Sequence, residues 1–231
     1  MTHAAAALPG VAEDPHGEHP ATSTGLDNKK IAFWAFIGSE CMLFASLIST
    51  YLIYKGRSVV GPFPHEVCDP AVLGAVKCPT KMNAILNIPV TSMSTFVLLM
   101  SSLFMVLALA AVENKGKPGY EGLLGSSKFW LMATAIAGAT FLGFQAYEFT
   151  SFVHEGLTIR TNLFGSTFFT LTGFHGAHVT AGVLWLLTLF AIDVKRGLQP
   201  KDALLVDISA LYWHFVDVVW IAIFTLIYLI R

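Results

Sequence analysis

Six ionisable side chains stand within runs that are otherwise apolar: Glu40, Glu148, His175, His178, His214 and Asp217. In hydrocarbon such a group is expensive unless it faces protein or water, so each needs a partner or a task. Groups of this kind exchange protons, hold a metal, or hydrogen-bond between helices. Glu40 follows Phe33-Trp34-Ala35-Phe36-Ile37-Gly38-Ser39, a run with no cation to neutralise it. It reads either as a carboxyl that exchanges protons or anchors a lipid head group, or as a protonated acid hydrogen-bonded to a neighbouring helix. His214 and Asp217 are three apart and share a helix face, which lets Asp217 meet Glu40 or a histidine of the 164–192 stretch.

Metal and haem chemistry fit the spacing poorly. His175 and His178 lie on one face, but no Cys or Glu stands at matching spacing, and a hydrogen-bonded core pair is the expectation. Paired haem ligation across a bilayer wants histidines about four turns apart on one helix, a spacing found nowhere in the chain. The Glu-x-x-His string of carboxylate-bridged di-iron sites occurs only at Glu13 to His16, in a polar, Pro-containing segment, and reads as chance. His3 and His19 in the same segment read as solvated. No cofactor-binding, metal-binding or catalytic residue is expected. Gly173, Ala177 and Ala181 recur every four residues, a stripe whose expected meaning is close helix packing.

The elements that must position these groups follow from composition. The chain has 231 residues, of which 55% are hydrophobic and only 13% charged, with a mean hydropathy of +0.64; soluble domains are roughly a quarter charged. Fourteen Lys and Arg against fifteen Asp and Glu give a net charge of -1, which excludes a basic field for nucleic acid. Residues 1–28 are polar and read as a mobile tail; residues 29–231 read as one transmembrane unit. Within it, Ile31 to Tyr54, Ile88 to Val112, Phe129 to Phe152, Phe164 to Ile192 and Ile208 to Ile230 are each long enough to span a bilayer as a helix. The expected fold is an all-α integral membrane bundle of five transmembrane helices.

Five crossings put the termini on opposite sides. Lys29, Lys30, Lys115, Lys117, Lys128, Lys195, Arg196 and Lys201 fall on one side. Lys55, Arg57, Lys77, Lys81, Arg160 and Arg231 fall on the other. Eight against six favours a cytoplasmic N-terminus and an outside C-terminus. Cys68 and Cys78 then share an outer loop, where they either form a disulfide or remain as two thiols. Rise per residue places Glu40, His214 and Asp217 in an inner layer, and Glu148 and His175 in a shallower group towards the other surface.

Four blocks, in order, carry a family resemblance: Ser39-Glu40, Gln145-Ala-Tyr-Glu-Phe149, Phe164-Gly-Ser-Thr-Phe-Phe-Thr-Leu-Thr-Gly-Phe-His-Gly-Ala-His-Val179 and Tyr212-Trp-His-Phe-Val-Asp-Val-Val-Trp220. Together they closely resemble subunit III of haem-copper terminal oxidases. The resemblance implies an all-helical subunit of a bacterial plasma-membrane oxidase that is not catalytic by itself. Haem and copper would reside in partner subunits, chiefly subunit I, with subunit II also in the complex. The implied role is to stabilise subunit I and hold phospholipids while the complex reduces dioxygen to water and translocates protons. It further implies that Glu40 matches the family's carbodiimide-reactive acid, and that Glu148, His175, His178, His214 and Asp217 match recurring buried polar positions. Many members have seven spans; this chain has the equivalent of the last five, so another subunit is expected to supply the other two. Alternatives are an accessory subunit of a quinol oxidase or nitric oxide reductase and, in a different class, a small proton-coupled transporter. Against the transporter, five spans cannot form two equal inverted repeats.

Overall fold

The computed structural model describes residues 27–66, 69–74, 76 and 85–230. Its helices are α1 (Asn28–Tyr54), a short α2 (Pro70–Leu73), α3 (Ile88–Glu113), α4 (Ser127–His154), α5 (Leu163–Arg196) and α6 (Ala203–Phe224). A 3-10 turn, Pro200–Asp202, leads into α6, and a π-helical turn, Thr225–Leu229, continues it. Five of these elements are long and apolar enough to cross a membrane. The fold is therefore the expected all-helical bundle, with no strand among the described residues. Cys68, Cys78, Glu13 and the histidines of the tail lie outside the described residues.

Helix starts are set by side chains that satisfy otherwise orphaned N–H groups. Asp27 accepts from the Lys29 amide at 2.7 Å, Asn162 from Gly165 at 2.7 Å, and Asn87 and Ser126 cap α3 and α4 in the same way. Pro89 falls in the first turn of α3, where no N–H is needed. Gly197, at φ +70°, ends α5 in a conformation that disfavours a Cβ.

The last span starts before Ile208, the residue at which the apolar run begins. Asp207 breaks that run, but the helix continues through it from Ala203, and its carboxylate receives the Lys30 ammonium at 2.6 Å. The pair ties the beginning of α6 to the beginning of α1.

α3, α4, α5 and α6 pack in a closed cycle, each against two neighbours, while α1 leans on α5 and α6 from outside. The centre of the cycle is filled from α6. Trp213, 1% exposed, seats its ring where a Cβ on Gly138 of α4 would be 2.5 Å away and one on Gly182 of α5 2.8 Å away. Its indole N–H donates to Ser101 of α3 at 2.8 Å. Two turns on, Trp220 donates to Thr95 of α3 at 2.9 Å and stacks on His175 of α5. The helices that α6 joins are thus held by apolar burial and by directed bonds from the same two side chains.

The stripe of Gly173, Ala177 and Ala181 does not make the close helix packing expected of it within this chain. Ala177 and Ala181 are exposed, and a Cβ on Gly173 would meet nothing within 4 Å. Close approach falls instead to Gly138 and Gly182, because these face the indole.

Candidate functional site

One face of α3 carries hydroxyls along its length, and the buried polar groups of α4 and α6 reach it. Near its start, Thr91 donates to the Glu148 carboxyl of α4. Thr95 and Ser101 receive the two indoles. Ser102 sits between His214 Nδ1, 2.9 Å away, and the Asp217 carboxyl, to which it donates. A short hydroxyl costs little apolar surface yet satisfies a neighbour's polar atom, which suits a helix interface inside a membrane.

His214 and Asp217 share a face as their spacing predicts, but Ser102 joins them. Neither Glu40 nor a histidine of α5 is Asp217's hydrogen-bond partner. Glu40 and Asp217 stand ten residues beyond Lys30 and Asp207, which are paired, so their depths match while their side chains serve different helix interfaces. Side-chain direction around α6, which period-3.6 reasoning leaves undetermined until neighbours are known, separates them.

Glu40 instead meets His178, Oε2 to Nε2 at 3.1 Å, across the α1–α5 interface. The other ring nitrogen, Nδ1, lies 2.8 Å from the Phe174 carbonyl, an oxygen that can only accept, so Nδ1 carries a proton. The bond to Glu40 then needs one shared proton. Either an acid faces an imidazole or a carboxylate faces an imidazolium, and the pair is neutral in both arrangements. Pairing in this manner answers the charge problem posed by the cation-free run before Glu40.

His175 does not form the expected hydrogen-bonded pair with His178. It is fully buried, stacked on Trp220 at a centroid distance of 4.8 Å and edged by Phe141 at 5.8 Å and Phe44 at 6.5 Å. Neither of its nitrogens has a hydrogen-bond partner among the described residues. Nor does it group with Glu148, whose carboxyl is bonded to Thr91. Gln145, from the same block as Glu148, donates to the Thr172 carbonyl at 2.7 Å and fits against Gly176, where a Cβ would lie 2.9 Å from its oxygen.

Asp193, 1% exposed near the end of α5, is a buried acid that sequence reasoning passed over. It accepts from Ser127 of α4 at 2.5 Å and from the Leu198 amide at 2.8 Å. Its proximity to Lys195 and Arg196 gave it the look of a surface charge. The hydroxyls of α3 were missed for a similar reason, since Ser and Thr in an apolar helix usually bond their own backbone. Among the described residues, no three His, Cys, Asp or Glu side chains converge in a way that could hold a metal ion.

Residues 11–230 match the family model for cytochrome c oxidase subunit III. The chain belongs to the cytochrome c oxidase subunit III family. It is 40% identical over 212 residues to a cytochrome c oxidase subunit 3 of Bacillus sp. (strain PS3), covering 92% of this chain and 90% of that one. It is 34% identical over 221 residues to a quinol oxidase subunit 3 of Bacillus subtilis, covering 93% and 96%. A cytochrome bo(3) ubiquinol oxidase subunit 3 of Pseudomonas aeruginosa is 33% identical over 212 residues, covering 92% and 88%. The chain is thus a multi-pass membrane subunit III of a haem-copper oxidase, and its partners are other oxidase subunits. Within this subunit III the polar side chains bind one helix to the next.

Proposed function

We propose that this subunit is a non-redox support of a proton-pumping oxidase in a bacterial plasma membrane, with its N-terminus in the cytoplasm. It stabilises subunit I, contacts subunit II and other chains of the complex, and is bathed by phospholipids of the bilayer. Haem and copper belong to the partner subunits, where dioxygen is reduced to water. The observation carrying this reading is the use to which the ionisable groups are put. Glu40 is spent on His178, Asp217 and His214 on Ser102, Glu148 on Thr91 and Asp193 on Ser127. These bonds join α1 to α5, α3 to α6, α3 to α4 and α4 to α5, which is the work of a scaffold. The outward small-residue stripe of α5 then offers a close-packing surface to a helix of another subunit.

The electron donor is cytochrome c or quinol, and the similarity to subunits of both kinds keeps both readings in view. Purification in mild detergent, followed by identification of the co-purifying subunits and their haems, decides between them. The isolated chain is expected to show no haem bands while its complex does. Stoichiometric porphyrin on the isolated chain would overturn the support role.

A further inference from the structure

Three buried side chains hold polar atoms that no described residue satisfies: both ring nitrogens of His175, Oε1 of Gln145 and Oδ1 of Asp217. The Asp217 carboxyl is bonded through its other oxygen to Ser102, between α3 and α6. His175 and Gln145 belong together elsewhere, between α4 and α5. His175 is 0% exposed and Gln145 8%. Gln145 Nε2 donates to the carbonyl of Thr172, the residue one turn before His175, and its Oε1 lies 2.9 Å from where a Cβ on Gly176, the next residue, would stand. Phe141, one turn before Gln145 on α4, edges the His175 ring at 5.8 Å. Opposite helices thus bring the two groups to one level of one interface, yet they do not bond to each other.

Neither group can turn away. The Thr172 carbonyl only accepts, so the carboxamide must offer it the NH2 and leave Oε1 unused. Trp220 stacks on the imidazole at 4.8 Å and is itself held by its N–H bond to Thr95 at 2.9 Å. The chemistry of a shared partner follows from counting donors and acceptors. Oε1 only accepts, so that partner must donate. His175 carries at least one N–H in any protonation state, so the partner must also accept. A metal ion or an ammonium cannot accept, and an anion without a proton cannot donate. A hydroxylic molecule does both, and water is the one small enough to sit between packed helices.

We propose that His175 and Gln145 together bind an internal water molecule between α4 and α5, which accepts from the imidazole N–H and donates to Gln145 Oε1. The other ring nitrogen is then the bare lone pair of a neutral imidazole, and no N–H is left facing the aromatic walls. The site goes beyond the support role. It relies on that reading only in taking the intact oxidase as the sample, and its failure leaves the identification of partner subunits untouched.

The test is pulsed X-ray hydroxyl-radical labelling of the intact complex, read by peptide mass spectrometry. Radicals born from a bound water modify the side chains beside it, whereas radicals from bulk solvent do not reach a packed interior. Phe141, 1% exposed, is expected to be labelled several-fold faster than Phe168, 0% exposed, which lies away from the site. His175→Phe keeps an aromatic ring against Trp220 and removes both nitrogens; Gln145→Met keeps the side-chain length and removes Oε1. In each variant the labelling of Phe141 is expected to fall to the rate of Phe168. Equal rates in the unsubstituted complex, the outcome if the His175 N–H rests against the Phe141 ring instead, overturn the proposal. Fast labelling of Phe141 that persists in either variant also overturns it, since the water is then held by other groups. The comparison within the unsubstituted complex decides even where a variant fails to assemble.

Discussion

Gly138→Ala is the sharpest perturbation of the bundle's centre. The added methyl would lie 2.5 Å from Trp213 Cη2 and 2.8 Å from Val183 Cγ2, about 0.9 and 0.6 Å inside the 3.4 Å at which ordinary contact begins. The indole cannot easily retreat, since it is bonded to Ser101 and also lies close against Gly182 on α5. Overpacking of this kind costs about 1 to 3 kcal/mol. Removing a helical glycine returns roughly 0.5 to 1 kcal/mol, and the net is a destabilisation of up to about 2.5 kcal/mol. Gly143→Ala, on the same helix with nothing within 4 Å of its Cβ, keeps only the favourable part. The assay is size-exclusion of the solubilised complex after stepwise heating, comparing the two variants. For a chain of this length each kcal/mol moves the midpoint by roughly 2 to 4 °C, so Gly138→Ala is expected several degrees below Gly143→Ala. Adding Trp213→Phe removes the outer ring, and the double variant should be less damaged than the sum of the singles by about 1 kcal/mol. Equal midpoints for the two alanine variants would refute the argument that a rigid indole occupies the space between α4 and α5.

Asp193→Ala leaves the Ser127 hydroxyl and the Leu198 amide without their acceptor and should lower stability by about 1 to 3 kcal/mol, whereas Asp193→Asn should cost less; thermal midpoints of the complex check both. Asp217→Leu should weaken assembly by a similar amount, about 1 to 3 kcal/mol, read as co-purification yield, with Asp217→Asn milder because its amide still bonds Ser102. Lys30→Ala is expected to change stability by less than about 1 kcal/mol, its ion pair with Asp207 being partly solvated. Glu40→Ala leaves His178 Nε2 without its partner across the α1–α5 interface and should lower the thermal midpoint of the complex while initial oxygen consumption stays near normal; an unchanged midpoint would refute the bracing role of this pair.

What the amino-acid order determined is the set of spans and the list of buried polar residues. Hydrocarbon tolerates only internally bonded backbone, so twenty or more apolar residues imply a helix wherever they occur. The same cost marks Glu40, Glu148, His175, His178, His214 and Asp217 as exceptions without any knowledge of neighbours. The edge of the apolar run fell too late at Asp207, which lies within the last helix and is paired there with Lys30, 177 residues away in sequence.

Only the tertiary structure decided the pairing. Depth along a helix follows from residue number and rise, but azimuth has meaning only against a neighbouring surface. Glu40 and Asp217 therefore share a level without meeting, and Gly173 faces outward while Gly138 faces an indole. Thr91, Thr95, Ser101 and Ser102 gave no sign of their role in the sequence, since a hydroxyl in an apolar helix is satisfied equally well by its own backbone. It becomes an interhelical acceptor or donor only when a second helix brings a carboxyl, an imidazole or an indole within hydrogen-bond reach.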